Sequence, residues 1–364
     1  MKKNFKTRLR VIISGGGTAG HIFPAIAIAD YIKKECNANF LFIGARKKME
    51  IKKVKKAGYK ISAIWIDGYQ RRFSFRNFVL PLKILISFFQ SLYFLMKYRP
   101  HVVIGTGGFV SGPIVFSASL LGIPTLIHEQ NSFPGITNKI LSRFVNKVCV
   151  SYPNLNHLFN NKEIIVSGNP VRAELKKIVS KNESINYFNL NISLPTILVV
   201  GGSLGAEPIN KIVLKNLEKI KTEGYQLIWQ TGGTHYKKYK HLNSKNVRVF
   251  DFIDNMNFAY TASDLVISRA GAIAIAEICL LKKPSILIPS PYVSENHQYE
   301  NARSLEGQVA TCLINQNSLS AEFWEKLKHI MSNKNYRQNI SNNAYALSKK
   351  NAENIIFKSI MDLI

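Results

Sequence analysis

Short, nearly unbroken apolar runs recur along the chain, each ending in a turn former and followed by a stretch with helical spacing. In the first half they cover residues 10–14, 40–43, 61–66, 102–104, 125–128 and 147–150. Continuous apolar character, rather than alternation, is what strands covered on both faces require. Helical patterns lie between them, most clearly over 24–34 and 114–121. The second half repeats the order, with strands predicted over 196–200, 226–230, 247–250, 265–268 and 285–289. Residues 166–171, containing Gly168-Asn169-Pro170, read as a switch strand and linker. This alternation predicts an α/β protein with a doubly wound parallel sheet in each half. Near the C-terminus, Ala352, Ile355, Ile356, Ile360 and Leu363 share one helical face. That helix is predicted to cross back onto the first half. The expected domains are therefore 1–168 joined by 351–364, and 169–350.

One segment interrupts the pattern. Residues 73–96 read FSFRNFVLPLKILISFFQSLYFLM, with Arg71, Arg72, Arg76, Lys83, Lys97 and Arg99 in or beside them. The uncharged part, 84–96, falls short of the roughly 20 residues a bilayer span needs. An amphipathic helix lying on a membrane surface fits, its aromatics inserted and its cations meeting anionic headgroups. A core helix with exposed ends is the competing reading.

Composition changes the picture in one respect. With 364 residues, 46% hydrophobic and 20% charged, the chain is long enough for two soluble globular domains. But 49 Lys+Arg against 22 Asp+Glu leave a net charge of +27. Such a charge favours anionic partners; lysines scattered over a solvated surface account for it equally well. No nucleic-acid motif accompanies it, so no nucleic acid is expected as a partner. Cys36, Cys149, Cys279 and Cys312 form no CxxC pair and are expected as reduced thiols. The N-terminal MKKNFKTRLRVII lacks the apolar core of a signal peptide. The expected location is the cytosol, with peripheral membrane contact through residues 73–96.

Candidate chemistry sits where strands end. SGGGTAGH (residues 14–21) and GGSLGA (residues 201–206) each follow a strand and precede a helix. Glycine lets backbone N–H groups approach an anion, and a helix N-terminus adds N–H groups and a favourable dipole. Two such turns suggest two Rossmann-like halves facing a shared cleft. Gly15-x-Gly17-x-x-Gly20 fits a dinucleotide fingerprint, yet the second strand ends FIGARK without the carboxylate that holds a ribose. His21 is placed either to act as a base or to cap the turn. GTGGFVSGP (105–113) and His128-Glu129-Gln130-Asn131 lie at two further strand ends. In the second half, Ser268-Arg269-Ala270-Gly271-Ala272 leads into a helix carrying Glu277, which is suited to accepting from two ribose hydroxyls. Residues 290–301 form a polar loop with many groups for sugar hydroxyls. No DxD pair occurs, so if a nucleotide diphosphate leaves here its charge must be met by N–H groups, dipoles and hydroxyls, and no metal or other cofactor is expected.

Taken together, GGGTAGHIFPA, GTGGFVSGP, GIPTLIHEQN, GNPVR, GGSLGA, FIDNM and SRAGAIAIAE, in that order over nearly the whole chain, resemble the MurG family of GT-B N-acetylglucosaminyltransferases, glycosyltransferase family 28. The resemblance implies inverting transfer of GlcNAc from UDP-GlcNAc to the MurNAc C4 hydroxyl of lipid I, giving lipid II and UDP in peptidoglycan synthesis. It implies a donor site of Thr18, Ala19, Gly20, Asn131, Arg172, Ser203, Phe252, Ile253, Ala272, Ile273, Ala274, Ile275, Ala276, Glu277 and Gln298. Ile253 would meet the uracil through its backbone. Catalysis falls to His21, with Glu129 left open. The acceptor and membrane side would include Gly107, Gly108 and Phe109, then Phe75, Phe78, Leu82, Leu85, Phe88 and Phe89. Implied partners are UDP-GlcNAc, lipid I, the anionic membrane surface and other cell-wall synthesis proteins. Ala19 and Phe109 depart from the glycine and tyrosine that other members carry. A UDP-GlcNAc 2-epimerase on the same scaffold, a diacylglycerol glycosyltransferase and a non-enzymatic sugar-nucleotide-binding subunit are the alternatives.

Overall fold

A computed structural model describes residues 8–69, 78–159, 163–202, 204–293 and 296–364. Contacts divide the chain into two units, Met1–Ala173 with Asn351–Ile364, and Glu174–Lys350.

The strands of the first unit are β1 (Leu9–Ser14), β2 (Ala38–Ala45), β3 (Ile61–Ile64), β4 (Val102–Gly105), β5 (Thr125–Glu129), β6 (Lys147–Val150) and β7 (Ile164–Val166). They form one sheet in the order β3-β2-β1-β4-β5-β6-β7, each pair parallel. Helices α1 (Ala19–Glu35), α2 (Met49–Lys56), α3 (Leu80–Tyr98), α4 (Ser111–Leu120) and α5 (Ile136–Leu141) make the crossovers. Both faces of β1 are covered: Val11 and Ile13 join one core with α1, while Ile12 joins the other with Val103 and Ile114. The winding direction reverses between β1 and β4, so the loops leaving these strands open a crevice at the carboxyl edge. The expected switch strand over 166–171 is corrected: β7 ends at Val166. Ser167 and Gly168 both donate to Val150 O, and Pro170 has no N–H to continue a ladder.

The apolar segment forms α3. Ser87, Ser91 and Leu95, four residues apart, are its buried stripe. The hydroxyls of Ser87 and Ser91 donate to Ile84 O and Ser87 O, so neither strands a polar atom. Phe78, Leu82, Ile84, Leu85, Phe89, Tyr93 and Met96 are each more than half exposed. Phe88 turns inward instead, its ring 6.3 Å from Phe116. Phe75 lies outside the described residues.

The second unit contains β8 (Thr196–Val200), β9 (Gln226–Gln230), β10 (Val247–Phe250), β11 (Leu265–Ser268), β12 (Ser285–Leu287) and β13 (Cys312–Leu313). Their order is β10-β9-β8-β11-β12-β13, again parallel throughout. The helices are α6 (Lys181–Tyr187), α7 (Glu207–Lys215), α8 (Leu217–Thr222), α9 (Tyr236–Tyr239), α10 (Met256–Ala262), α11 (Ala272–Leu280), α12 (His297–Glu306), α13 (Leu319–Ser332) and α14 (Lys334–Ala346). Here the reversal falls between β8 and β11, next to the second glycine turn and the SRAGA turn.

The chain then returns to the first unit as α15 (Ala352–Met361). Ile356 and Ile360 are fully buried with α1 residues, and Phe357 meets Tyr31 edge-on at 5.8 Å. Glu353 accepts from Val171 N–H at 2.9 Å, tying the helix to the end of the first unit's chain.

Candidate active site

At the carboxyl edge of the first sheet, His21 occupies the first turn of α1. Its Nδ1 lies 3.0 Å from Thr106 O and 3.1 Å from Gln130 Oε1. The Thr106 hydroxyl donates to His21 O at 2.8 Å, locking the loop after β4 onto α1. Gly107 has φ +95°, and a Cβ there would meet His21 Nδ1 at 2.8 Å. Only glycine lets this loop pass so close to the imidazole. Beside it, Gly108 also has positive φ, and the Phe109 ring packs against Gly17 and Gly68. Thr18 precedes α1, and Ala19 and Gly20 begin it.

Glu129 is 1% exposed. Its Oε1 accepts from Asn131 N and Nδ2, and its Oε2 from Gly135 N and Asn138 Nδ2, at 2.8–3.1 Å. A carboxylate holding four donors of its own loop and the following helix fixes that loop, Asn131 included. The Arg172 guanidinium sits over the Phe23 ring at 5.5 Å, inside the first unit, whereas the expected boundary had placed it in the second domain.

One group here had no place in the motif reading. Glu50, on α2, is fully buried; its Oε1 accepts from Ala45 N at 3.0 Å and its Oε2 from Gly17 N at 3.3 Å. The glycine turn thus directs one N–H at the protein's own carboxylate, supplied from beyond the end of β2, where the sequence showed none. His128, also fully buried, is pushed down to about 4 by burial and stays neutral at ordinary pH.

At the carboxyl edge of the second sheet, Gly201 and Gly202 leave β8; Ser203 lies outside the described residues. Gly205 has φ +81°, and a Cβ there would run into Thr231 O. Gln230 braces this turn: its Nε2 donates to Gly202 O at 2.9 Å and its Oε1 accepts from Ile253 N at 2.8 Å. The Ile253 N–H is thus engaged within the protein. Phe252, half-buried, precedes it.

The two helix starts of this edge differ. Glu207 opens α7, with His235, Lys211 and Lys238 within 2.8–3.5 Å of its carboxylate. The first turn of α11 contains no acidic residue, a charge pattern compatible with an anion at its N-terminus. Ala272, Ile273 and Ile275 are buried, while Ala274 and Ala276 are half-buried. Glu277 is no surface glutamate: it is 3% exposed and accepts from Tyr260 Oη at 3.1 Å. Arg269 donates to Ile288 O, Pro289 O and Gln316 Oε1, joining the loops after β12 and β13, and burial lowers it to about 10. Gln298 accepts from Ser290 N, bracing the polar loop.

The chain matches two family models, the glycosyltransferase family 28 N-terminal domain over residues 11–150 and the family 28 C-terminal domain over 196–356. It belongs to glycosyltransferase family 28. Among curated relatives of this family-28 chain, one from Christiangramia forsetii is 44% identical over 99% of both chains. It is named UDP-N-acetylglucosamine–N-acetylmuramyl-(pentapeptide) pyrophosphoryl-undecaprenol N-acetylglucosamine transferase. A solved structure, MurG of Acinetobacter baumannii, superposes with a TM-score of 0.77 at 27% identity, covering 98% of this chain and 100% of that one. The fold is GT-B-like. A UDP-GlcNAc 2-epimerase from Neisseria meningitidis shares the fold alone, with a TM-score of 0.68 at 16% identity over 97% of this chain and 100% of that one.

Proposed function

We propose that this family-28 chain transfers N-acetylglucosamine from UDP-GlcNAc to the C4 hydroxyl of the MurNAc residue in undecaprenyl-pyrophosphoryl-MurNAc-pentapeptide, with inversion. The observation that carries the reading is the end-to-end 44% identity with a relative of that named activity. On the donor side, Glu277 takes the ribose hydroxyls and the start of α11 takes the diphosphate, whose charge favours a helix N-terminus. The Ile253 carbonyl meets the uracil, Phe252 packs nearby, and Gln298 meets the sugar. Thr18, Ala19, Gly20, Asn131, Arg172 and Ser203 complete the donor contacts that the family resemblance implies.

On the acceptor side, His21 Nε2 takes the proton of the C4 hydroxyl. The hydroxyl oxygen attacks the anomeric carbon of GlcNAc, and the bond from that carbon to the diphosphate oxygen breaks, with the electron pair leaving on UDP. Glu129 acts as a positioning residue, because its carboxylate is held within its own loop. Gly107, Gly108 and Phe109 lie next to His21 on the acceptor side. The exposed apolar face of α3 rests on the cytoplasmic surface of the membrane that holds the lipid acceptor.

The experiment is release of UDP from UDP-GlcNAc with and without a short-chain lipid I analogue. Turnover only with the acceptor is expected, and appearance of a 2-epimer without acceptor would favour the epimerase. His21→Ala is expected to lower turnover far more than donor affinity; unchanged turnover would remove His21 as the base.

A further inference from the structure

Around His21 the distances decide which atoms carry hydrogen. One end of the Gln130 amide lies 2.9 Å from Thr106 O and 3.1 Å from His128 O. Both are backbone carbonyls, which only accept, so this end is the NH2 group. The same NH2 lies 3.0 Å from His128 Nδ1, which must then hold a lone pair. His128 Nε2 carries the hydrogen and donates to Gly168 O at 3.0 Å. Gln130 Oε1 therefore points the other way, toward His21 Nδ1, and Thr106 O approaches that nitrogen as well. Two acceptors on one ring nitrogen require it to be protonated. In a neutral imidazole the lone pair is then on Nε2.

We propose that Gln130 is a positioning residue for the base: with the Thr106 carbonyl it holds His21 as the Nδ1–H tautomer, presenting the Nε2 lone pair to the acceptor hydroxyl. Its Oε1 also stabilises the imidazolium formed when Nε2 takes the proton, since a hydrogen bond to a charged donor is stronger than one to a neutral donor. The proposal rests on the reading of His21 as base. It gives the HEQN motif a role distinct from substrate contact. The Gln130 main chain is itself anchored, its carbonyl accepting from Asn169 Nδ2 at 3.0 Å.

The ionisable groups around His21 leave this assignment intact. From β5 come His128, neutral through burial, and Glu129, turned into its own loop. From α2 comes Glu50, behind Gly17, and Arg172 lies over Phe23 on the helix that carries His21. The loop after β4 brings Thr106, Gly107, Gly108 and Phe109, none of them ionisable.

Loss of an acceptor on Nδ1–H disfavours the imidazolium relative to the neutral ring. Gln130→Met is therefore expected to move the acidic limb of the kcat/KM–pH profile to lower pH. It should also reduce kcat roughly tenfold, as expected for a lost hydrogen bond to a charged group, and leave the KM for UDP-GlcNAc near the wild-type value. Gln130→Asn, too short to reach the ring, should do the same and stands in if the methionine variant does not fold. The tautomer is read independently by long-range 1H–15N correlation on protein labelled with 15N-histidine, with His21→Asn assigning the signal. The expected pattern is Nδ1–H for His21 and Nε2–H for His128. His21 found as Nε2–H in protein that loses turnover on His21→Ala would overturn the proposal while leaving the base reading standing. Undiminished turnover of His21→Ala would remove the base and the proposal with it. An unmoved acidic limb in both folded Gln130 variants would also overturn it.

Discussion

Glu277 carries the sharpest expectation at the scale of single residues. Burial at 3% exposure and the hydrogen bond from Tyr260 hold its carboxylate within α11. Glu277→Ala should weaken UDP-GlcNAc binding by roughly 1.5–3 kcal/mol, the usual range for hydrogen bonds to a charged group. Isothermal calorimetry measures it, and an unchanged affinity would refute the ribose role. His128 provides a pH test of stability. Its folded pKa near 4 lies below the ordinary 6.5, so between these values the unfolded chain binds more protons than the folded one. Stability is therefore fully present above about pH 6.5 and lost as pH falls toward 4, by on the order of 3 kcal/mol. Chemical denaturation of the wild type and His128→Phe across this window should show a shallower slope in the variant. His128 and Gln130 were legible as a polar cluster after a strand, and Glu50 was not. A lone glutamate on a lysine-rich helix gives no sign that it faces a glycine turn 33 residues earlier.

Among the elements, α3 shows how pattern and packing divide the work. Its apolar composition was plain in the sequence, but the narrowness of its buried stripe appears only when the helix packs against α4. Beneath the exposed face lies a row of rings the sequence did not connect: Phe88 meets Phe116, which meets Phe144 on the segment after α5 at 5.0 Å. Ile136 and Ile140 of α5 are also more than half exposed. Lys83 pairs with Asp67, so its charge is neutralised on the protein side. Paired glutamates at Leu85 and Phe89 should reduce co-sedimentation with anionic vesicles at least tenfold, given roughly 1.5–3 kcal/mol for each large apolar side chain removed from water. Donor affinity should stay unchanged; undiminished vesicle binding would refute the membrane role. Among the strands, the short apolar runs were readable, whereas Cys312–Leu313 is too short to form a pattern.

For the whole molecule, the return of α15 makes the last residues part of the first unit's core. Ile356→Ala and Ile360→Ala should each destabilise that unit by about 2–5 kcal/mol, as for other large-to-small core changes. Hydrogen exchange followed by mass spectrometry should then rise across β1 to β6 and stay near wild type in β8 to β12. Equal rises in both units would contradict the division. By itself, the sequence determined most of the strands, the parallel winding and the glycine turns at strand ends. These are local consequences of burying a strand on both faces and of glycine at its end, and residues near each other in the chain express them. Only the tertiary structure decided which polar atoms share a hydrogen. His21 and Gln130 lie 109 residues apart, and Gln230 and Ile253 lie 23 apart. Such pairings depend on strand order, because a buried donor must find an acceptor among whatever the neighbouring strand ends present.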